Sequence, residues 1–209
     1  MTNSSEIMQT ERMLPQQNEQ IIRLLAVATF QNYHGYERVI KGLAQYYHGL
    51  AARKIELYMV GNGEEMIKYK KMVRQYDLVK SVQFCGRKTG LELDQIYDHM
   101  DIALGSFGMY KEKIYKSSSL KVREYLAKGI PVVCGCRDDA FEQEKSYKYY
   151  LEFPNDNTLI NMRLIVGFYK SIYETDMNRE QIHKEIREYA KRTVDLSVTM
   201  QPVMRYICG

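Results

Sequence analysis

The 209-residue chain has no tryptophan, 4 prolines and 13 glycines, too few of the last two for a collagen-like or low-complexity polymer. With 45% hydrophobic and 27% charged residues it is also not the composition of a disordered chain. No apolar run approaches the roughly 18 residues of a membrane helix, and the N-terminus lacks the basic-then-apolar order of a secretory signal. These absences predict a soluble, cytoplasmic protein with no transmembrane segment. Cys85, Cys134, Cys136 and Cys208 form no CxxC pair and have no histidine at metal-ligand spacing. They read as small buried hydrophobes rather than a disulfide frame or a zinc site. The net charge of +4 falls well short of the basic footprint of a nucleic-acid binder, so no nucleic-acid partner is expected. No GxxxxGK[ST] segment and no DxD triplet occurs.

What is present is a regular alternation. Residues 1–20 are polar and without sustained periodicity, and read as a leader or linker. From there on, short apolar runs at 22–29, 55–60, 82–85, 102–105 and 131–134 have the near-continuous hydrophobicity of strands buried on both faces. A sixth strand is possible at 149–153. Helical stretches lie between them at 36–52, 64–76, 91–100 and 120–128, the last ending at Gly129, where glycine suits a helix terminus. Further helices are expected at 158–174 and 180–192, and a weaker one at 198–207. The pattern predicts one α/β domain over 21–209: a Rossmann-like parallel sheet with helices on both faces, followed by C-terminal helices.

In such a sheet the ligand sits beyond the carboxyl ends of the strands, so the loops there are where binding chemistry is expected. Gly61-Asn62-Gly63 follows the second strand and lacks the third glycine of a dinucleotide fingerprint, so it reads as a tight turn. The segment 109–128 is richer. It carries Lys111, Lys113, Lys116, Lys121, Arg123 and Lys128 against only Glu112 and Glu124, a surplus equal to that of the whole chain. Three serines, Ser117 to Ser119, offer hydroxyls to cap the helix that starts at 120. Lys121 and Arg123 in its first turn oppose the helix dipole, and an anion there would reverse that cost. A diphosphate would find free amides, serine hydroxyls and the Lys121 ammonium together, and Glu124 on about the next turn could accept hydrogen bonds from a ribose diol. The alternative is an amphipathic helix with Glu124 in solvent. On the residues alone the two readings stand level.

Five blocks in order add to this. Glu124-Tyr-Leu-Ala-Lys-Gly-Ile-Pro-Val-Val resembles the second half of the E-x7-E signature of glycosyltransferase family 4 (group 1), whose members have the two-domain GT-B fold. VATFQNYHGYERVIKGL at 27–43, ELYMVGNGEE at 56–65, VQFCG at 82–86 and IYDHMDIALGS at 96–106 resemble the family's other blocks. The resemblance implies a nucleotide-sugar-binding C-terminal half, one half of a GT-B fold, separated from an N-terminal acceptor domain. It implies that the backbone around Gly86, Arg87 and Lys88 meets the base, Glu124 the ribose, and Ser119, Leu120 and Lys121 the diphosphate. Ser106, Phe107 and Gly108 would lie nearer the sugar.

Two departures stand out. Lys116 occupies the place of the signature's first glutamate, and Thr29 and His34 stand roughly where the family has an arginine and a lysine that contact the diphosphate. Lys116 and Lys121 could supply that charge from the opposite wall. The expected function is donor binding in a retaining, hexosyltransferase-type enzyme of polysaccharide biosynthesis. The nucleotide sugar is its substrate, no metal or other cofactor is required, and no catalytic residue is assigned. The fragment alone would be inactive, and any contact with the inner membrane would come through the missing half. The alternatives are a GT-B sugar-nucleotide epimerase and a non-catalytic α/β interaction module.

Overall fold

The computed structural model describes residues 21–142, 144, 146–200 and 205–207, so the leader and Cys208 lie outside the described residues. Among these residues eight strands and seven α-helices follow in chain order: β1 (Ile21–Val27), α1 (Tyr36–His48), β2 (Lys54–Val60), α2 (Met66–Gln75), β3 (Val82–Gly86), α3 (Gly90–Asp98), β4 (Ile102–Leu104), β5 (Lys116–Ser117), α4 (Leu120–Ala127), β6 (Val132–Cys134), β7 (Arg137–Asp138), β8 (Tyr150–Glu152), α5 (Met162–Tyr173), α6 (Arg179–Thr193) and α7 (Leu196–Thr199). Six strands form one sheet in the order β3-β2-β1-β4-β6-β8, with every pairing parallel. The expected doubly wound α/β sheet is therefore the observed one, including its sixth strand.

The sheet is buried on both faces, and β1 shows why its run is nearly all apolar. Ile22, Leu24 and Ala26 pack into the core shared with α1, α2 and α5, whereas Leu25 packs into the one shared with α3, α4 and α6. Burying a residue such as Leu24 completely stabilises the fold by about 1.5–3 kcal/mol. Helices α1 and α5 present an apolar stripe to the first core, through Val39, Ile40 and Leu43 and through Ile165, Val166 and Tyr169 respectively.

Some boundaries differ from the expectation, each for a local reason. Helix α5 starts at Met162 rather than at 158, because Asn161 caps it by accepting the Arg163 amide at 2.9 Å. The chain before it is tied down by Arg38, which donates to the Thr158 carbonyl at 2.6 Å. The weak helix expected at 198–207 begins earlier and is short: Asp195 caps α7 by accepting the Ser197 amide at 2.8 Å. Residues 201–204 lie outside the described residues, and 205–207 form a helical turn. The β5–β7 pair, Lys116↔Arg137 and Ser117↔Asp138, was not foreseen, since two-residue strands carry no periodicity. Cys134 and Cys136 are buried and free, and Cys85 is half-buried. None of the described helices is long and apolar enough to cross a membrane.

The sheet order places a switch point between β1 and β4. From β1 the chain winds outward through β2 and β3, then returns to β4 on the other side. β1 pairs with β2 along its whole length, Ile21↔Lys54 to Val27↔Val60, but with β4 only at Leu24↔Ile102 and Leu25↔Ala103. Beyond Leu25 the two strands part, and the crevice that opens at their carboxyl ends is where an open α/β sheet takes its ligand.

Candidate functional site

Two loops form one wall of the crevice. After β1 the chain makes a 3-10 turn at Asn32–His34 and enters α1 through Gly35, whose φ of 65° lies in the left-handed region. A side chain at Gly35 would collide with the Gly108 backbone, because a Cβ there would lie 2.4 Å from its nitrogen. Glycine lets this turn press against the loop after β4, and amides stitch the two together: Phe107 N–H donates to the His34 carbonyl at 2.7 Å, and Gly108 N–H to that of Tyr33 at 3.2 Å. His34 and Ser106 are thereby placed on one stitched unit. The Ser106 hydroxyl is buried and has no hydrogen-bond partner among the described residues.

His34 is held as a neutral ring. Its Nδ1 accepts the Gln31 amide at 2.9 Å, which assigns the remaining proton to Nε2. Burial first, then the nearby Lys121, pulls its pKa down to about 3. It therefore cannot supply the charge of the lysine whose place in the family pattern it takes, although its Nε2–H remains a donor. Thr29, in the arginine's place, is exposed.

The opposite wall is the start of α4. Its capping corrects the sequence reading, for no serine side chain caps the helix. The β5–β7 pairing instead brings up Asp138, fully buried, whose Oδ2 accepts the Ser117 hydroxyl at 2.8 Å and the Ser119 amide at 3.0 Å. Its Oδ1 takes the Ala140 amide at 3.1 Å. Burial pushes the Asp138 carboxyl above the ordinary range, and those hydrogen bonds oppose the shift. Arg123, expected to oppose the dipole, is paired with Asp139, its Nη2 donating to both carboxylate oxygens at 3.0 and 3.1 Å.

Lys121 has no such partner. Its Nζ lies 5.6 Å from the centre of the Tyr36 ring and 3.4 Å from the Tyr36 hydroxyl, and among the described residues no carboxylate pairs with it. Burial lowers its pKa to about 7, opposed only by the Cys134 thiol. A half-buried cation at a helix N-terminus, with no counter-charge, is a place where an anion would be stabilised.

The remaining sequence-selected residues are placed as follows. Glu124 is exposed on the next turn of α4, beside the buried Tyr97 phenol, whose ionisation burial, Tyr125 and Glu124 all suppress. Leu120 is 82% exposed. Lys116 lies on β5 and pairs with Glu142 at 2.5 Å, so its charge is matched by that carboxylate. Gly86 has a φ of 67°, and among the described residues beyond its chain neighbours no atom lies within 4 Å of where a Cβ would stand. Arg87 beside it is exposed, and Lys88 pairs with Glu92 at 2.7 Å. Gly61 and Gly63 serve close backbone packing: a Cβ on Gly61 would meet the Ala28 carbonyl at 1.9 Å and one on Gly63 the Phe30 carbonyl at 2.3 Å. Among the described residues no three His, Cys, Asp or Glu side chains cluster as a metal site.

Sequence reasoning missed Tyr36, Tyr125, Asp138 and Arg38. The tyrosines carry the signal of ordinary core aromatics, and Asp138 lies in a segment with no recognisable period. Arg38 falls on a helix, where an arginine is usually solvated; here it is buried.

Comparison with known proteins agrees with this architecture. The sequence profile described as Glycosyl transferases group 1 matches residues 9–163. No curated protein matches the chain. Among solved structures, a glycosyltransferase from Rickettsia africae superposes with a TM-score of 0.67 at 15% identity, over 89% of this chain and 47% of that one. The Anabaena protein HepE, solved in complex with UDP, gives 0.66 at 14% identity, over 90% and 49%. Sucrose-phosphate synthase from Thermosynechococcus elongatus gives 0.66 at 18% identity, over 90% and 45%. The chain thus spans about half the length of these GT-B structures, and its sheet is the Rossmann-like half of that fold. With the profile matched along most of its sequence, the chain belongs to the glycosyl transferases group 1 family.

Proposed function

We propose that this chain is the donor-binding half of a retaining, hexosyltransferase-type glycosyltransferase, holding a nucleotide sugar in the crevice between β1 and β4. The observation that carries the reading is Lys121, a half-buried lysine at the N-terminus of α4 that has no carboxylate partner among the described residues, facing a neutral His34. In this reading the diphosphate takes the free amides of α4 and the Lys121 ammonium. His34 Nε2–H donates from the opposite wall, the buried Ser106 hydroxyl lies nearer the sugar, and Glu124 accepts from the ribose. The Gly86–Lys88 backbone meets the base.

The chemistry is leaving-group stabilisation. As the bond from the anomeric carbon to the diphosphate breaks, negative charge builds on the departing oxygen, and pre-aligned amides with Lys121, protonated beside that anion, stabilise it more than they stabilise the ground state. This scheme uses side chains and a helix end in place of a metal. The acceptor and the closure that excludes water would come from a second domain, as the half-length match to GT-B structures suggests, with polysaccharide or another glycan as the product.

The test is thermal shift of this chain with UDP, ADP, GDP and inorganic pyrophosphate, UDP first because HepE was solved with it. At least one nucleoside diphosphate should raise the melting temperature more than pyrophosphate does. No shift with any of them would overturn the reading.

A further inference from the structure

The fork where β1 and β4 part is closed by two phenols from opposite helices. Val27 N–H, which has no β4 partner, donates to Tyr125 Oη at 3.0 Å. The Tyr36 hydroxyl donates to the Leu104 carbonyl at 3.1 Å, and Tyr125 Oη lies 3.4 Å from that same oxygen. Both side chains are fully buried. One comes from α1, which follows the His34 turn, and the other from α4, which carries Lys121 and Glu124.

A phenol has one proton. That of Tyr36 is committed to Leu104, which turns its free lone pair away from the strand, and Lys121 Nζ is the group that meets it, at 3.4 Å. The lysine also rests on the face of the same ring. The other titratable groups about this pair are His34 from the β1–α1 loop, Cys134 from β6, and Tyr125 and Tyr69, which face Tyr36 from α4 and α2. None offers an anion. Burial pushes the thiol and the phenols up and keeps His34 neutral.

We infer that Tyr36 is a positioning residue for Lys121: its hydroxyl, oriented by the Leu104 carbonyl, holds the lysine against the crevice where a diphosphate would be met. The inference rests on the donor-binding reading for the ligand, though not for the contact itself. Because the hydroxyl is tied to the strand end, the lysine is registered to the sheet as well as to its own helix. Tyr125 plugs the same fork, and among the described residues it makes no hydrogen bond to the lysine.

That contrast supplies the experiment, made on the full chain as wild type, Tyr36→Phe and Tyr125→Phe, with folding checked by far-UV circular dichroism. First, trace acetic anhydride labelling across pH, read by mass spectrometry, gives the midpoint at which Lys121 becomes a free amine. It should be near 7 in the wild type, lower by about half a unit in Tyr36→Phe, where the ammonium loses an acceptor, and unchanged in Tyr125→Phe. Second, titration with UDP should show about fivefold weaker binding in Tyr36→Phe, corresponding to about 1 kcal/mol, and less than twofold in Tyr125→Phe. Equal changes in both variants, or a wild-type labelling profile in Tyr36→Phe, would overturn the inference. Failure of the wild type to bind UDP would count against the donor reading, while the labelling profiles would still decide whether Tyr36 holds Lys121.

Discussion

The buried guanidinium of Arg38 donates to the Phe107 carbonyl at 2.6 Å, across a sequence separation of 69 residues. The same side chain takes the Thr158 carbonyl at 2.6 Å and that of Pro154 at 2.9 Å. One residue of α1 thus ties down the loop after β4, where Ser106 lies, and the segment that leads into α5.

Replacing Arg38 should therefore cost more than a surface charge. Arg38→Met leaves the buried Phe107 carbonyl and the part-buried Pro154 and Thr158 carbonyls without their donor and should destabilise the chain by about 2–3 kcal/mol. Arg38→Lys should recover less than half of that, because an ammonium cannot span the three acceptors as a planar fork does. Urea unfolding of both variants checks this, and a loss below about 1 kcal/mol would mean that water replaces the guanidinium.

Glu124 is expected to discriminate ligands by their ribose. Glu124→Ala should weaken UDP about tenfold, about 1.4 kcal/mol, and inorganic pyrophosphate less than twofold. The residue is exposed on α4, so folding should be unaffected. Equal losses for the two ligands would contradict its assignment to the ribose.

The pH dependence of stability separates the two basic groups of the crevice. His34 has a folded pKa of about 3 against about 6.5 when unfolded. The unfolded chain binds its proton first, so stability from this residue is present above about pH 6.5 and is lost as pH falls towards 3. His34→Gln should flatten that limb of a urea-midpoint profile.

Lys121 acts at higher pH. Its folded pKa is about 7 against about 10.4 unfolded, so stability should rise with pH across that window as the buried ammonium loses its charge. Lys121→Met should raise the melting temperature more at pH 6 than at pH 9, while abolishing the shift caused by UDP. A variant that melts higher and still responds to UDP would show that the diphosphate is held elsewhere.

The isolated chain is expected to transfer no sugar to any acceptor, because near-attack geometry and exclusion of water need a second domain. Slow hydrolysis of a donor is compatible with this. A glycosylated acceptor produced by the purified chain would overturn it, and mass spectrometry of the products distinguishes the two.

What the sequence by itself determined was the order and kind of the elements. The near-continuous apolar runs in β1 and β2 and the glycines at the turns are local signals, and each is satisfied within a strand, a helix or the loop beside it. The same local chemistry located the start of α4 and the oddity of Lys121 there. It could not say what that lysine would lack. Whether Asp138 or a serine would serve the start of α4, whether Lys116 would turn to Glu142, and which hydroxyl would meet Lys121 were decided by β5 pairing with β7 and by the parting of β1 from β4. The decisive contacts join residues far apart in the chain, 85 positions for Lys121 and Tyr36 and 98 for Val27 and Tyr125. Hydrophobic period and turn chemistry act over a few residues, whereas a hydrogen bond between distant segments exists only once the sheet order has brought them together, and so tertiary structure alone could place these groups in one crevice.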